Sequence, residues 1–355
     1  MNTHYRKISE DIVTNLGNKI NIFSGKSILL TGAAGFLGSA ICSFVFYVNQ
    51  NKLLDKPITL FAYDKFIHKK ESWVDDYSKS KYINFYEQDI LKISNYQNSD
   101  FIIHAASIAS PIFYRKYPLE TIDSNVMGLR KLLDFSLNND TQGILFFSTS
   151  EIYGNPDSKN IPTKETYFGH VNSYGPRASY DESKRLSETI CYVYSNKYGS
   201  PINIVRPFNN YGPGLGINDG RVIPDFFKNI LNNQDIILFS SGEATRTFCY
   251  ISDAVTGYLL ALISDLKGEI YNIGNEKPEI NMLELANLIK KVSNSSADIV
   301  FKTNSDKEYL TNNPQRRCPD ISKARKNLNF SPNVELEDGL YSTYLFYKDI
   351  LNYEN

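Results

Sequence analysis

The sequence has few cysteines, and their positions exclude the scaffolds that cysteines usually build. The four of them, Cys42, Cys191, Cys249 and Cys318, lie far apart and form no CxxC pair. Zinc sites and disulfide-rich secreted folds need closely spaced cysteines, so we expect neither scaffold. We also expect no bound metal. Unpaired cysteines suit a reducing compartment, which predicts a cytoplasmic protein.

The sequence also lacks an excess of one charge and any long apolar run. Lysine and arginine number 38 against 39 for aspartate and glutamate, which gives a formal net charge of −1. Nucleic-acid and membrane-surface binders carry a strong basic excess, so neither nucleic acid nor membrane is expected as a partner. No stretch approaches the roughly 20 apolar residues of a membrane span, and the first residues lack the apolar core of a secretory signal.

With 355 residues, 42% of them apolar, the chain is long enough for one large domain or two coupled ones. Residues 1–24 precede the first strong strand and are predicted to form a helical extension. Their apolar stripe at helical spacing consists of Ile8, Ile12, Val13, Leu16 and Ile20. We expect this helix to pack on the body of the protein, and a partner-binding helix remains the alternative.

The rest of the chain alternates between strand-like and helix-like segments. Short apolar runs predict strands at 26–31, 57–63, 82–86, 100–104, 143–149 and 202–206. Helices are predicted between them, notably at 39–48, 119–138 and 180–198. This alternation indicates an α/β fold, a doubly wound parallel sheet of the Rossmann type. After residue 206, loops and shorter elements indicate a smaller C-terminal α/β substrate domain.

A glycine-rich turn joins the first strand of this sheet to its first helix. Gly32, Gly35 and Gly38 in TGAAGFLG are spaced three apart directly after the strand. Gly32 permits a tight turn, Gly35 lets backbone N–H groups approach a pyrophosphate, and Gly38 allows close helix packing. The strand–turn–helix context predicts dinucleotide binding at the helix N-terminus. The dinucleotide-binding domain is predicted over 25–205 with 243–268 returning to it, and the substrate domain over 206–242 and 269–355.

The second predicted strand ends in Asp64, which we expect to accept hydrogen bonds from the adenine ribose. A carboxylate there repels a 2′-phosphate and so favours NAD over NADP. Asp64 lies farther from the glycines than the usual spacing of about 20 residues, because 49–56 are predicted to add a helix extension and a loop. A solvated strand-end aspartate is the alternative, and Lys65 beside it leaves the 2′ preference open.

A tyrosine and a lysine share one face of the helix predicted at 180–198. Tyr180 and Lys184 are i and i+4, and Ser179 with Glu182 predicts a capping box at the start of this helix. A neighbouring ammonium and a cationic nicotinamide would lower the pKa of Tyr180 from its usual value near 10 and make a phenolate base accessible. An ordinary amphipathic helix is the alternative, and the upstream glycine turn favours the catalytic interpretation.

TGAAGFLG and YDESK together resemble the extended short-chain dehydrogenase/reductase superfamily of NAD-dependent epimerases and dehydratases. The resemblance covers about residues 26 to 345 and is greatest to the UDP-glucuronate decarboxylases (UDP-xylose synthases). The segments that carry it are HAASIASP (104–111), STSEIYG (148–154), GHVNSYGPRASYDESKRLSET (169–189), NDGRVIP (218–224), TRTFCYISD (245–253) and RRCPDISKA (316–324).

The resemblance implies a cofactor site that extends beyond the glycines. The strand end from His104 to Ser107 matches the segment that passes under the nicotinamide ribose, with His104 in a structural role. The implied NAD-binding residues are Gly32, Gly35, Phe36, Leu37, Gly38, Asp64, Asp89, Ile90, Ala105, Ala106, Ser107, Tyr180, Lys184 and Pro207.

The implied reaction centre adds three consecutive residues to the tyrosine and lysine. Thr149 matches the hydroxyl that hydrogen-bonds the sugar 4-hydroxyl, and Ser150 and Glu151 follow it. Sugar 4-epimerases usually have no acid at the position of Glu151, so chemistry at the sugar 5-position is implied. Decarboxylases and GDP-mannose 4,6-dehydratases both show Thr-Ser-Glu, so the triplet leaves both branches open.

The implied substrate site lies mostly in the C-terminal part of the chain. Its members are Asn209, Arg221, Val222, Arg246 and Arg317. Two fixed guanidinium groups suit a diphosphate, and Arg317 matches the arginine that decarboxylases place near the substrate carboxylate. Arg316 leaves that register open by one residue. Gly-Pro-Gly at 212–214 departs from the Gly-Pro-Arg of the decarboxylases.

The resemblance therefore implies an enzyme that modifies a nucleotide sugar through a 4-keto intermediate and recycles its NAD. Decarboxylation of UDP-glucuronate to UDP-xylose is the expected reaction, with catalytic residues Tyr180, Lys184, Thr149, Ser150, Glu151 and Arg317. A 4,6-dehydratase, a 4-epimerase and a non-catalytic NAD-binding regulator remain alternatives. A homodimer is expected through the helix of Tyr180 and the one before it. Ile190, Val193 and Tyr194 would supply either that apolar face or intramolecular core.

Overall fold

The computed structural model describes residues 1–67, 72–303, 311 and 314–354, with side chains to residue 351. Residues 304–310, 312–313 and 355 of the predicted substrate domain lie outside the described residues. The strands are β1 (Ser27–Thr31), β2 (Thr59–Asp64), β3 (Ile83–Glu87), β4 (Phe101–His104), β5 (Gly143–Phe147), β6 (Ile202–Pro207), β7 (Asn210–Tyr211), β8 (Ile236–Leu238), β9 (Thr245–Arg246), β10 (Cys249–Tyr250), β11 (Ile270–Ile273), β12 (Ile280–Asn281), β13 (Ile299–Phe301) and β14 (Arg316–Arg317).

Helices precede, separate and follow these strands. They are α1 (Thr3–Leu16), α2 (Phe36–Gln50), α3 (Ser72–Ser78), α4 (Pro111–Lys116), α5 (Pro118–Asp123), α6 (Leu129–Ser136), α7 (Ala178–Tyr198), α8 (Val222–Leu231), α9 (Ile251–Leu262), α10 (Met282–Ser293), α11 (Ser322–Leu328) and α12 (Leu336–Glu354). Short 3₁₀ turns cover Gly17–Phe23, Ser150–Tyr153 and Ser158–Asn160, and a π-turn covers Ser124–Gly128.

The central sheet has seven parallel strands in the order β11-β6-β5-β4-β1-β2-β3. Alternate side chains of its strands enter opposite cores, because successive residues of a strand point to opposite faces. Ile28 and Leu30 pack with α1, α2 and α9, whereas Leu29 packs with α6 and α7. A parallel sheet covered on both faces confirms the predicted doubly wound Rossmann fold. The chain order reverses between β1 and β4, which is where such sheets open a ligand crevice.

The C-terminal part adds small sheets to this core. Strands β12, β9 and β14 form one, β13 pairs with β8, and β10 pairs with β7. Strand β11, which lies within the range predicted for the substrate domain, instead extends the central sheet beside β6. The division of the chain into two domains stays a prediction.

The predicted N-terminal helix forms and packs on the body of the protein. Ile8, Ile12 and Leu16 are fully or almost fully buried, and α1 contacts α2 and α9. Asn2 accepts a hydrogen bond from the backbone N–H of His4, which satisfies one of the free donors at the start of the helix. Since the apolar stripe is covered within the chain, it is not available as the partner-binding face considered above.

The helix predicted over 119–138 is present from Pro118 to Ser136, with a π-turn in its middle. α5, the π-turn and α6 follow one another without a gap, and the residues at both junctions keep right-handed helical backbone angles. The π-turn carries the buried Asn125, whose side chain bridges two other segments of the chain. Asn125 Oδ1 accepts a hydrogen bond from Ser107 Oγ at 2.7 Å, and its Nδ2 donates to Ser183 Oγ at 2.9 Å. Such local bulges occur frequently at functional sites, and this one fixes the segment after β4 against α7.

Replacing Ile8 with alanine should lower the free energy of unfolding by about 2–5 kcal/mol, because it leaves a cavity between α1 and the body. Lys7→Ala is the matched control: its side chain is largely exposed, and we expect a change within about 0.5 kcal/mol. Equilibrium unfolding in denaturant measures both. Equal stability of Ile8→Ala and the unmodified chain would show that α1 lies outside the cooperative core.

Candidate active site

A cavity of about 1110 Å³ lies at the carboxyl ends of β1, β4, β5 and β6, where the strand order reverses. The described residues bring most of the predicted site together around it. Its walls include Gly32, Gly35, Phe36, Leu37, Gly38, Ala105, Ser107, Thr149, Ser150, Glu151, Tyr180, Lys184, Pro207, Asn209, Arg221, Val222, Arg246 and Arg317. Four predicted residues, Asp64, Asp89, Ile90 and Ala106, are not part of its walls.

The glycine turn leaves no room for side chains where the backbone passes close to itself. Gly32 has φ of 74°, and a Cβ there would lie 2.6 Å from the Ala106 nitrogen. A Cβ on Gly38 would lie 2.1 Å from the Gly32 carbonyl oxygen. Gly35 caps α2 without a side-chain hydrogen bond, so the N-terminus of α2 presents its backbone donors to the cavity.

The end of β2 supports this turn from behind. Asp64 Oδ2 accepts a hydrogen bond from the Ala34 N–H at 2.8 Å, and Oδ1 accepts one from Phe66 at 2.7 Å. Each carboxylate oxygen has a further lone pair for a ribose hydroxyl. Lys65 forms an ion pair with Asp89 at 2.9 Å, which neutralises the charge of Lys65 locally. The long spacing from glycines to Asp64 arises because α2 runs to Gln50, as predicted.

These residues fit a bound NAD. The cradle at Gly32, Gly35 and Gly38 admits a pyrophosphate only because side chains are missing there, and Asp64 disfavours a 2′-phosphate. Ser107 also lines this cavity, held by Asn125.

Tyr180 and Lys184 lie on the cavity wall formed by α7, where both are buried. Tyr180 is hydrogen-bonded to Thr149. Lys184 Nζ donates to the Phe147 carbonyl at 2.7 Å and lies 6.0 Å from the centre of the Tyr180 ring. The predicted pairing of tyrosine and lysine on one helix face is therefore present, and Thr149, predicted to bind the sugar 4-hydroxyl, lies beside the phenol.

Two details of α7 differ from the sequence-based expectation. Arg177 is the N-cap residue, no side chain caps the helix, and the predicted capping box at Ser179 is wrong because the helix begins at Ala178. Lys184 does not lower the pKa of Tyr180. Burial raises the pKa of Tyr180 to about 12 and lowers the pKa of Lys184 to about 7, because both charged forms lose hydration.

Glu151 occupies the centre of a cationic cluster. Its Oε2 accepts hydrogen bonds from Arg177 Nη2 and from Arg317 Nη2, the latter at 2.5 Å. Burial alone would raise the pKa of the Glu151 carboxyl, but the charges of Arg177, Arg317 and Arg246 hold it well below its usual range. Glu151 is therefore a firmly ionised carboxylate and a weak base in this arrangement.

Sequence reasoning missed three residues beside the reactive centre. The Tyr114 ring stacks on Tyr180 with centroids 5.0 Å apart, and Arg177 and Asp181 form a buried pair at 3.5 Å. The i, i+4 spacing of Arg177 and Asp181 across the start of α7 is a signal that could have found this pair. Tyr114 has no such signal, because its contact depends on how α4 lies on α7.

The two neighbouring arginines of β14 point in different directions, and Arg317 is the one that lines the cavity. Arg317 faces the cavity and donates to Asn209 Oδ1 at 3.3 Å, whereas Arg316 turns away and binds both oxygens of Glu279 at 2.9 and 2.8 Å. The open register is thus resolved in favour of Arg317. Successive residues of one strand point to opposite faces of the sheet, which explains why one residue makes this difference.

The remaining arginines of the substrate wall are held by backbone and acidic groups. Arg246 is buried and donates to the carbonyls of Thr245 at 2.7 Å and Pro314 at 2.6 Å. Burial lowers the pKa of Arg246 to about 9, with a smaller contribution from the charge of Arg317. Arg221 forms an ion pair with Asp219 at 3.3 Å.

No group of three or more His, Cys, Asp or Glu residues suited to a metal ion occurs among residues 1–67, 72–303, 311 and 314–354. Within the same ranges no helix is long and apolar enough to cross a membrane.

Comparison with known proteins identifies relatives along most of the chain. Residues 28–274 match the model of the NAD dependent epimerase/dehydratase family. UDP-glucuronic acid decarboxylase 1 of Xenopus tropicalis is 35% identical over 329 residues, which cover 93% of this chain and 74% of that protein. UDP-glucuronic acid decarboxylase 5 of Arabidopsis thaliana is 36% identical over 320 residues, covering 89% and 88%.

Solved structures show the same fold. UDP-glucuronic acid 4-epimerase from Bacillus cereus, in complex with UDP-glucuronic acid and NAD, is 27% identical with a TM-score of 0.75 and covers 91% of this chain and 99% of its own. The dTDP-glucose 4,6-dehydratase DesIV from Streptomyces venezuelae, with NAD bound, has a TM-score of 0.79 at 23% identity, covering 92% and 98%. At that identity the second likeness concerns the fold alone.

Gly38→Ala should abolish NAD binding and destabilise the protein by about 1–3 kcal/mol, because the new methyl group meets the Gly32 carbonyl. Gly216→Ala is the matched control, since a Cβ there has no heavy atom within 4 Å and the change should stay within about 0.5 kcal/mol. Calorimetric titration with NAD and thermal unfolding measure the two effects. Undiminished NAD affinity in Gly38→Ala would contradict the assigned cradle.

Proposed function

The chain belongs to the NAD dependent epimerase/dehydratase family, and we propose that it decarboxylates UDP-glucuronate to UDP-xylose. The observation that carries the proposal is the ionised Glu151 carboxylate between Arg177 and Arg317, facing the cavity beside Tyr180. The curated relatives named above carry the name of this activity. The solved epimerase at 27% identity is described with the same carboxylated nucleotide sugar.

Each of the cavity residues has a separate role in the proposed reaction. Tyr180 takes the proton of the sugar 4-hydroxyl, Thr149 orients the phenol, and Lys184 holds the α7 wall against Phe147. Bound NAD supplies the acceptor, and later the donor, of one hydride. Oxidation at C4 makes the sugar a β-keto acid, so the C5–C6 bond breaks and its electron pair passes into the enolate as carbon dioxide leaves. Ser150 and Glu151 orient this intermediate while a proton returns to C5.

Arg317 is the proposed partner of the sugar carboxylate. It lies in the cavity, forms an ion pair with Glu151 and contacts Asn209, whereas Arg316 is occupied by Glu279. A guanidinium group binds two carboxylates in turn or together through its several donors. Arg221 and Arg246 are proposed to neutralise the diphosphate, with Asn209 and Val222 beside them.

The state of Glu151 also favours decarboxylation over dehydration. A 4,6-dehydratase needs a base to remove the C5 proton, and Glu151 is the group in that position by resemblance. Its pKa lies well below the usual range because Arg177 and Arg317 stabilise the carboxylate against the opposing effect of burial. Loss of carbon dioxide needs no base at C5, so the firmly ionised Glu151 suits it.

Homodimerisation and a cytoplasmic location remain part of the proposal. Apolar side chains stay exposed on α5 and α7, among them Leu119, Leu186, Tyr192 and Val193. Tyr194, which was expected to contribute to this face or to the core, is buried against α6 and hydrogen-bonded to Asp134. The exposed residues supply the apolar face that a second copy would cover.

The test of the proposal is the mass of the product formed from UDP-glucuronate. We expect a product lighter by one carbon dioxide, with no net consumption of NAD. Tyr180→Phe should lower kcat by about 10²–10⁴ through loss of the base, and Tyr192→Phe, an exposed tyrosine of the same helix, should not. Loss of water from dTDP-, GDP- or CDP-hexoses would instead show a dehydratase, and an unchanged mass with inverted C4 an epimerase. Turnover of no nucleotide sugar would favour an NAD-binding regulator.

Arg317→Gln should lower kcat/KM for UDP-glucuronate by at least about 30-fold, because a buried charge pair to the carboxylate is lost, typically about 2 kcal/mol or more. Affinity for UDP alone should stay nearly constant. Arg316→Gln is the matched control, since Arg316 points away from the cavity towards Glu279. An equal loss in both variants, or none in Arg317→Gln, would contradict the assigned carboxylate partner.

A further inference from the structure

Asp181 is a buried carboxylate beside the reaction centre without a part in the reaction described so far. It lies in the first turn of α7, next to Tyr180, and is 6% exposed. Its Oδ2 lies 3.5 Å from Arg177 Nε, and its Oδ1 has no hydrogen-bond partner among the described residues. A buried carboxylate is costly unless a charge or hydrogen bond compensates it, and for Asp181 the charge of Arg177 does so. The role of this pair in the site requires an explanation.

Arg177 connects this carboxylate to Glu151. Its Nη2 donates a hydrogen bond to Glu151 Oε2, and its Nε forms an ion pair with Asp181 at 3.5 Å without a hydrogen bond. One planar guanidinium therefore lies between two acids from different elements. The side chain is 14% exposed, and its guanidinium lies 6.0 Å from the centre of the Tyr114 ring that stacks on Tyr180. Arg177 therefore cannot move without disturbing both Glu151 and the ring that covers Tyr180.

Arg317 is the second cation on Glu151, and it is shared with the substrate. Both guanidinium groups bind the same oxygen, Oε2, and no described residue donates a hydrogen bond to Oε1. When the sugar carboxylate takes Arg317, Glu151 keeps only Arg177. The place of Glu151 then depends on what holds Arg177.

We propose that Asp181 is a positioning residue for the reaction: it anchors Arg177, so that Glu151 stays in place when Arg317 turns to the carboxylate of the sugar. The inference rests on the proposed function, because it needs an anionic sugar that competes for Arg317. Asp181 itself touches neither substrate nor cofactor in this account and acts through Arg177.

The charges around Asp181 predict a pH dependence that a purely structural role of this residue would not produce. The groups that face it are Glu151 from the 3₁₀ turn, Tyr114 from α4, Arg317 from β14, and Arg177 and Tyr180 from its own helix. Burial first, and then the charge of Glu151, raise the pKa of Asp181 well above its usual range. Only the ionised Asp181 anchors Arg177, whereas binding of a further anion favours the protonated form. As pH rises and Asp181 loses its proton, affinity for UDP-glucuronate should therefore fall while kcat rises.

The experiment compares Asp181→Asn with the unmodified holoenzyme, using UDP-glucuronate as substrate and UDP-glucose, which has the same diphosphate but no sugar carboxylate, as the reference ligand. For Asp181→Asn we expect kcat to fall about tenfold or more, because Glu151 loses its fixed position. In the unmodified enzyme KM for UDP-glucuronate, divided by the dissociation constant of UDP-glucose, should rise between about pH 6 and pH 8, and in Asp181→Asn this rise should be absent. The division removes effects common to both ligands, such as loss of the charge on Lys184, whose pKa burial lowers to about 7. Asp181→Glu should restore part of kcat.

Glu182→Gln is the matched control, one residue along the same helix, where the carboxylate pairs with Arg185. It should keep kcat and the pH profile within about twofold. An unchanged kcat together with an unchanged pH profile in Asp181→Asn would overturn the inference while leaving the decarboxylase proposal intact. Absence of turnover by the unmodified enzyme would instead overturn the proposed function.

Should Asp181→Asn not fold, Arg177→Lys provides the second test. A compact ammonium cannot span both acids as the guanidinium does. We expect the same loss of kcat with little change in the affinity for UDP-glucose. An unchanged kcat in Arg177→Lys would overturn the proposal that Asp181 holds Glu151 in place through Arg177.

Discussion

The reaction centre depends on one interaction, the Glu151 carboxylate held between Arg177 and Arg317. The three residues come from three parts of the chain: the turn after β5, the residue before α7, and β14. Buried carboxylates and guanidinium groups are costly unless they are paired, so removing any one of the three would leave a buried charge uncompensated. The same pairing brings Tyr180 on α7 opposite Thr149 and closes the wall that would receive a sugar.

The fold and much of the site follow from local patterns. Strand–turn–helix periodicity predicted the parallel sheet, and the glycine spacing predicted where its crevice opens, because both depend on neighbours in the sequence. The π-turn at Asn125 was not predictable in this way. It depends on Ser107 and Ser183, which are distant in sequence and become neighbours only in the folded sheet.

Charge states were the least predictable part of the site. The sequence places Lys184 one turn from Tyr180 and suggests that the ammonium lowers the pKa of the phenol. Burial has the larger effect: it raises the pKa of Tyr180 and lowers the pKa of Lys184, since it disfavours the ionised form of each group. Glu151 differs because cations from β14 and from the start of α7 outweigh its burial, and sequence separation gives no sign of such contacts. Arg316 and Arg317 show the same limit: only the pairing of β14 with β9 decides which one faces the cavity.

In the proposed reaction, oxidation at C4 serves to release the carboxyl group that Arg317 binds. The most direct measurement follows UDP-glucuronate labelled with ¹³C at the carboxyl carbon, incubated with the enzyme in deuterium oxide. We expect the label to leave the sugar as carbon dioxide and one deuterium to be incorporated at C5 of the pentose. A label that remains on the sugar, with or without a change at C4, would contradict it.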